Sequence, residues 1–323
     1  MVVPVFNEAA VLPELGRRLT AVLEACVRDH EIVYVDDGSS DESPAILLAL
    51  SAADPHVRVL RFSRNFGHQA AVTAGIEHAR GAAIVVIDAD LQDPPEVIPQ
   101  LLEQWRAGFE VVSAVRAVRE GESALRLALI KIFYRVLRRI SSVDLTPDVG
   151  DFRLLDRRVA DALNRLPERN RYVRGLIRWL GFRHAQVSYR RAGRFAGETK
   201  YPFVKLVQLA LAGVTAFSSL PLRLAMYLGF AVSAGSLVLV GYALYDRFTA
   251  GRAPAGWASV FIAVAFFAGV QLVATGILGT YISRIFEEVK GRPLYVIASD
   301  TAAGGGGPTP DSGTKRAISE GPP

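Results

Sequence analysis

Cysteine is almost absent from this chain. Cys26 is the single one among 323 residues, so no internal disulfide is available and no cysteine pair can hold a metal. Within a helical pattern it reads as a small core side chain. Two nucleotide-binding signatures are missing as well. No G-x-G-x-x-G follows the first apolar run and no G-x-x-x-x-G-K-[ST] occurs anywhere, which disfavours a dinucleotide oxidoreductase and a P-loop NTPase. A nucleotide would then be held through its base and ribose by backbone groups and carboxylates, its diphosphate left to a divalent cation. No basic stretch is interleaved with aromatics as on a stacking platform, which argues against nucleic acid as a partner. There is no signal peptide, and Val2 already reads as strand. The expectation is a short missing N-terminal extension or a start set too late.

Charge is lacking from two long runs, Leu224–Tyr245 and Trp257–Ile282. Each exceeds the roughly 20 residues that a helix needs to cross a bilayer. Buried core helices rarely stay uncharged for so long. Tyr227, Tyr242, Tyr245, Trp257 and Tyr281 lie towards the run ends, as interfacial anchors do. The reading is a transmembrane hairpin with its linker near Asp246–Gly256. Lys200, Lys205, Arg223, Arg284, Lys290 and Arg292 flank the outer ends, against only Arg247 and Arg252 in the linker. The positive-inside rule places the N-terminal domain and both termini in the cytoplasm, at a cytoplasmic (inner) membrane crossed twice. A net charge of +5 suits anionic headgroups. Gly229, Ser233 and Ser236 form one small-residue stripe and Gly269, Thr275, Gly276 and Gly279 another, allowing close helix approach within a protomer or in a homo-oligomer. Gln271 reads as an interhelical hydrogen-bonding group. From about Ser299 the Gly, Pro, Ser and Thr content predicts a disordered tail.

Up to Arg116 the pattern alternates. Val2–Phe6, Glu31–Val35, Val57–Phe62, Ala83–Ile87 and Glu110–Ala114 read as buried strands, with helices over Glu14–Asp29, Pro44–Ala53, Gln69–Ala79 and Pro94–Arg106. This predicts an α/β domain with a mainly parallel sheet, its ligands outside the carboxyl ends of the strands. Those ends carry Asn7-Glu8, Asp36-Asp37-Gly38-Ser39 and Asp88-Ala89-Asp90.

In IVVIDADLQDPPE, Asp93 is expected to cap a helix, with Pro94 as its first residue and Glu96 closing a capping box. Asp88 and Asp90 lie two apart on an expected extended segment, so their carboxylates would point the same way. A divalent ion would relieve their repulsion, with Gln92 adding an oxygen, and such hard donors suit Mg²⁺ or Mn²⁺. A solvated loop is the competing reading.

VPVFNEA, EIVYVDDGSSD, DADLQDPPE, GDFRLLDRR and GETKYP, in that order, resemble glycosyltransferase family 2 of the GT-A fold (Rossmann-like). Within it they are similar to the polyprenyl-phosphate branch, which includes dolichol-phosphate mannose synthases and bactoprenol-phosphate glucosyltransferases. The likeness runs from Val2 to about Tyr295. It implies that Pro4, Phe6, Glu8, Val35 and Asp37 line a nucleoside pocket and that Asp88 and Ala89 lie beside the sugar diphosphate. Asp90 and Gln92 match the metal ligands. Arg116, Arg194 and Lys200 match basic positions around the donor or acceptor phosphates. Asp151, with Asp88, matches the catalytic positions, and Arg153 is a candidate partner for Asp151. A lipid phosphate has a second pKa of about 6, so it scarcely needs a base, and Asp151 reads as orienting the acceptor or an arginine. Ser123–Ile140 alternates apolar and basic residues as a helix that either faces the core or lies on lipid, and its Arg126 and Lys131 join Arg153 in the phosphate- and acceptor-binding set. Phe203–Leu220 looks like a second juxtamembrane helix. Processive relatives carry Gln-x-x-Arg-Trp. Here Gly175-Leu176-Ile177-Arg178-Trp179 has glycine first, which implies a single transfer, and Trp179 either packs or lies at the membrane surface.

The expected layout is a GT-A domain over 1–200, an amphipathic juxtamembrane helix over 201–222 and a hairpin over 223–283. A cytoplasmic segment over 284–298 and the tail over 299–323 complete it. The expected activity moves one sugar, best glucose from a UDP-linked donor, to undecaprenyl or a similar polyprenyl phosphate on the cytoplasmic face, with inversion and a divalent metal. GDP-mannose as donor, another lipid as acceptor, and a non-enzymatic sugar-nucleotide-binding membrane scaffold are the alternatives.

Overall fold

The structure, a computed structural model, describes residues 1–116, 149–169, 171–189 and 257–303, with separate helical positions between 222 and 249. Five strands alternate with four helices as the periodicity predicts: β1 Val2–Val5, α1 Leu12–Cys26, β2 Ile32–Asp36, α2 Ser43–Ala53, β3 Val57–Phe62, α3 His68–His78, β4 Ala83–Val86, α4 Ile98–Arg106 and β5 Val111–Arg116. Then come β6 Val149–Asp156, α5 Arg157–Asn164, α6 Val173–Trp179, β7 His184–Tyr189, α7 Trp257–Lys290 and β8 Ile297–Asp300. The strands form one eight-stranded sheet in the order β7-β5-β6-β4-β1-β2-β3-β8. β1 pairs in parallel with β2 and β4, β2 with β3, and β5 with β7. The mixed character comes from β6, antiparallel to both β4 and β5, and from β8, antiparallel to β3.

Strand alternation sorts the core into two faces. Val3, Val5, Ile32, Tyr34 and Val85 pack with Leu12, Leu15 and Leu19 of α1, Leu47 of α2 and Ile98 and Leu101 of α4. Val2, Ile84 and Val86 point the other way, onto Val72 and Ile76 of α3, Val159 of α5 and Leu176 of α6. Each such fully buried side chain contributes roughly 1.5–3 kcal/mol. Helix α3 lies so close to β1 that a Cβ on Gly75 would stand 2.1 Å from Val2 Cγ1.

Several expectations need correction. The helix after the acidic cluster opens with a 3₁₀ turn at Pro95–Val97 whose N-cap is Pro94, without a side-chain cap. Asp93 is buried instead and accepts a hydrogen bond from the Tyr189 hydroxyl. Glu96 pairs with Arg18 at 2.6 and 2.9 Å. The buried acceptor role outweighs the local capping pattern because a tyrosine hydroxyl taken out of water needs a partner. The chain beyond the second apolar run is also more ordered than its composition predicts. α7 continues to Lys290, and Ser299 and Asp300 belong to β8, followed by a 3₁₀ turn at Thr301–Ala303. Edge pairing with β3 supplies the backbone partners that polar composition alone does not.

Within α7, Phe266–Lys290 is long and apolar enough to cross a membrane, with mean hydropathy 1.4 and none of its residues buried. The first apolar run is helical at each of its described positions. A Cβ on Gly229, Gly269, Gly276 or Gly279 would have no described neighbour within 4 Å. Residues 123–140 with Arg126 and Lys131, residues 203–220, and Arg194 and Lys200 lie outside the described residues, as does the side chain of Arg116.

Candidate active site

The parallel strands β1, β2 and β4 end at one edge, and their following loops interlock there. Asn7, at φ +57°, receives a hydrogen bond on Oδ1 from Ser40 N at 2.9 Å and donates its own N–H to Ser39 Oγ at 3.0 Å. Glu8 N donates to Ser43 Oγ at 2.9 Å. Buried Asp36 accepts from Ser39 N at 2.9 Å. Asp37 accepts from Phe66 N at 2.6 Å and Gly67 N at 2.9 Å, tying the loop after β3 to the loop after β2. Burial raises the Asp37 pKa, and these two hydrogen bonds partly offset the rise. Gly38 is required at this crossing. Its φ is +69°, and a Cβ would stand 2.5 Å from the Arg64 carbonyl carbon.

Between these loops lies a pocket of about 370 Å³ whose lining includes Pro4, Phe6, Glu8, Asp37, Asp88, Ala89 and Asp90, with Asn65, Gly67 and His68 also on the wall. It gathers most of the residues that the motifs single out. Val35 is not on the wall; it is fully buried under α3. Gln92 is 2% exposed and also off the wall, its backbone N donating to Asp90 Oδ1 at 3.1 Å.

Sheet register explains the second carboxylate. β6 runs antiparallel to β4 with Arg153 opposite Val86, and continuing that register sets Asp151 opposite Asp88. His68, the first residue of α3, bridges them: its Nε2 is 3.0 Å from Asp151 Oδ2 and 3.7 Å from Asp88 Oδ1. Arg174 of α6 grips Asp151 with both ends of its guanidinium, Nε to Oδ1 at 2.7 Å and Nη2 to Oδ2 at 2.8 Å. Burial pushes the Asp151 pKa up, but Arg174 and His68 outweigh it and hold the carboxyl well below the usual carboxylate range. For His68 burial works against the charge, and Asp151 and Asp88 outweigh it, so its pKa is raised. Asp88 stands 3.7 Å from His68 Nε2, beyond hydrogen-bond distance. Burial, opposed by His68 and reinforced by Asp151, Asp93 and Asp90, pushes its carboxyl up to about 6.

The expected extended run from Asp88 to Asp90 is not formed. β4 stops at Val86, Ala89 and Asp90 are in a turn, and Leu91 has φ +54°. Asp88 consequently senses His68 and Asp151 more strongly than Asp90. Arg153 is 4% exposed, donates to Gly150 O at 2.6 Å and lies 3.7 Å from Asp151, which makes it an internal partner of that carboxylate. The rest of GDFRLLDRR is scaffolding: Asp156 caps α5 by accepting from Arg158 N at 2.9 Å and accepts from Trp105 Nε1 at 2.8 Å. Trp179 is 61% exposed, which removes its packing alternative among the described residues.

Sequence reasoning missed His68 and Arg174. β3 also ends at this edge, so the rule that directs attention to strand ends would have reached His68. Arg174 carries no local signal, because α6 meets Asp151 only through the fold.

A divalent cation can be tested against the donors present. Among the described residues Asp88 Oδ1 and Gln92 Nε2 are buried without a hydrogen-bond partner. An amide flip exchanges Gln92 Nε2 for its oxygen, so Asp88, Asp90 and Gln92 offer the oxygen donors that Mg²⁺ or Mn²⁺ takes. His68, Asp88 and Asp151 also have ligand atoms within 4.8 Å of one another. Asp151 is already committed to Arg174 and His68, which leaves Asp88 as the available donor of that group.

Comparisons with known proteins agree with the motifs. Residues 1–163 match the family model "Glycosyl transferase family 2". The chain is 46% identical over 297 residues to the "Uncharacterized glycosyltransferase YkcC" of Bacillus subtilis (strain 168), covering 92% of both chains. It is 41% identical to the "Bactoprenol glucosyl transferase" of Shigella phage SfII, over 92% of this chain and 96% of that one. A "Prophage bactoprenol glucosyl transferase homolog" of Escherichia coli (strain K12) is 40% identical over 92% and 97%. The crystal structure of Mycobacterium tuberculosis glucosyl-3-phosphoglycerate synthase superposes over 67% of this chain and 78% of its own, at 21% identity and a TM-score of 0.47. This chain is a glycosyltransferase and belongs to glycosyl transferase family 2.

Proposed function

We propose that the protein transfers a single sugar, best glucose from UDP-glucose, to a polyprenyl phosphate at the cytoplasmic face of a membrane. The observation that carries this reading is the pocket at the strand ends, lined by Pro4, Phe6, Glu8, Asp37, Asp88, Ala89 and Asp90. The two relatives at 40% and 41% identity, named for bactoprenol glucosyl transfer over nearly the whole chain, support the lipid acceptor.

Phe6, 47% exposed at the pocket wall, presents an aromatic face to a base. Glu8 and Asp37 offer carboxylates to ribose or base. At the far end Asp88 and Asp90, with Gln92, would hold a divalent cation, which supplies charge neutralisation to the diphosphate. The acceptor phosphate oxygen forms a bond to the anomeric carbon as the bond to the nucleoside diphosphate breaks, with the electron pair leaving on the diphosphate. One displacement inverts the centre. The acceptor enters ionised, so no proton must be removed. Asp151, with both oxygens committed to Arg174 and His68, acts as an orienting group: it fixes those two side chains beside the reacting phosphates. Arg116, Arg126, Lys131, Arg194 and Lys200 supply further positive charge in this reading. The apolar helix α7 and the preceding apolar run form the membrane hairpin, with the catalytic domain and both termini inside.

Incubating purified protein with UDP- and GDP-sugars and undecaprenyl phosphate, with and without EDTA, tests the reading. Formation of a lipid-phosphate sugar that stops with EDTA is expected. Donor hydrolysis without lipid product, or full transfer in EDTA, would overturn it.

A further inference from the structure

After α7 the chain turns back onto the catalytic domain. Tyr295 stacks on Phe62 with ring centroids 5.0 Å apart and planes 12° from parallel. Its hydroxyl donates to Glu77 Oε2 at 2.5 Å. The Val296 carbonyl accepts from Ser63 N at 3.0 Å, just where β3 gives way to its loop. β8 then pairs along β3, with Arg58 clamped on Asp300 at 3.0 and 2.6 Å and Thr301 Oγ1 accepting from Val59 N at 2.9 Å. Tyr295 and Ile297 thereby complete the apolar cluster of Val33, Val35, Leu60, Phe62, Ala71 and Ala74.

The loop that leaves β3 carries Asn65 and Gly67, and His68 follows it; all three line the pocket. On the pocket side this loop is held by Asp37 through Phe66 N and Gly67 N. On the other side Phe62 meets Phe66 edge to face at 5.7 Å, and Tyr295 covers Phe62 in turn. The end of α7 also meets the chain that leads into α6. Glu288 of α7 accepts from Arg169 N at 3.0 Å, a few residues before Arg174, and Val173 N donates to Gln69 Oε1 at 3.0 Å.

We propose that Tyr295–Asp300 is a clasp through which the end of the apolar helix sets the loop after β3, with Tyr295 a positioning residue for nucleotide binding. The clasp rests on the reading of the pocket as a nucleotide-sugar site. A loop ordered before its ligand arrives removes an ordering cost from binding. Loss of the clasp therefore weakens nucleotide binding and leaves the bond-making step alone.

The test titrates UDP and GDP, each with Mn²⁺, into the full-length protein in lipid nanodiscs, alongside steady-state transfer to undecaprenyl phosphate. Tyr295→Ala is expected to weaken the tighter-binding nucleotide and raise donor KM by about five- to tenfold, with kcat and acceptor KM within about twofold. Tyr295→Phe keeps the stack on Phe62 and should restore binding to within about twofold of wild type. A merely structural residue would instead lower kcat at unchanged KM by reducing the folded fraction. If Tyr295→Ala is not recovered folded, Asp300→Asn, which loosens β8 from Arg58, decides: weaker UDP or GDP binding supports the clasp. Unchanged nucleotide affinity in the folded variants, or a Phe variant as defective as Ala, would overturn it. A wild-type protein that binds neither nucleotide removes both the clasp and the pocket reading, whereas wild-type binding with an indifferent Tyr295→Ala removes the clasp alone.

Discussion

Replacing Asp151 by Asn separates an orienting carboxylate from a general base. In the wild-type protein both oxygens are used, two bonds going to Arg174 at 2.7 and 2.8 Å and one to His68 at 3.0 Å, with Arg153 at 3.7 Å. Asparagine keeps one acceptor and turns an N–H₂ towards donors, leaving Arg174 and Arg153 short of an anion. Breaking a fully buried pair from one side costs about 3–5 kcal/mol. Arg174 has 38% of its side chain exposed, so water recovers part of this, and the expected loss of stability is about 2 kcal/mol. Catalytic efficiency should fall by on the order of tenfold, the equivalent of about 1.4 kcal/mol of misplacement. The pH dependence is the decisive part. Because the folded-state pKa is depressed, the stabilisation from Asp151 is fully present above its unfolded value of about 3.9 and is lost only as pH falls through the lower folded value. Between about pH 6 and 9 its charge does not change, and the acceptor phosphate is ionised above its second pKa near 6. On a His68→Gln background, which removes the imidazole whose pKa Asp151 raises, the ratio of kcat/KM with and without Asp151→Asn should therefore be flat over that range, measured by transfer to undecaprenyl phosphate at saturating Mn²⁺. A large defect at pH 6–7 that recovers towards pH 9 would refute the reasoning and make Asp151 a base.

Three further outcomes are expected. Asp90→Ala should abolish transfer and Mn²⁺-dependent nucleotide binding, read by calorimetry, since Asp88 and one buried amide are too few donors to hold the cation that neutralises a diphosphate; full activity in this variant would end the metal assignment. Gly75→Ala places a methyl 2.1 Å from Val2 Cγ1 and should cost about 1–3 kcal/mol in urea unfolding of the detergent-solubilised protein, and a shift below roughly 0.5 kcal/mol would mean that α3 is not packed as described. A cysteine at Thr249, on a Cys26→Ser background, should react with an impermeant thiol reagent on intact cells, because the proposed topology puts the linker between the apolar runs outside. Labelling only after lysis would reverse that topology.

Periodicity was sufficient to locate β1 to β5 and α1 to α4, because each buries one face and hydrophobic alternation is a local property of the chain. It also located the pocket, since parallel strands deliver Glu8, Asp37, Asp88 and Asp90 to one edge. What local pattern cannot encode is who meets whom across long separations. Asp93 reads locally as a cap, yet the fold gives it the hydroxyl of Tyr189. Asp151 reads as a lone acid beside Arg153, yet antiparallel β6 sets it by Asp88 and α6 brings Arg174 onto it. Ser299 and Asp300 read as the start of a disordered tail, yet Arg58 lies 242 positions away in the chain with its guanidinium on Asp300. In each case the partner's pull is electrostatic or a backbone pairing, whose strength depends on distance in space and leaves no periodic trace along the sequence.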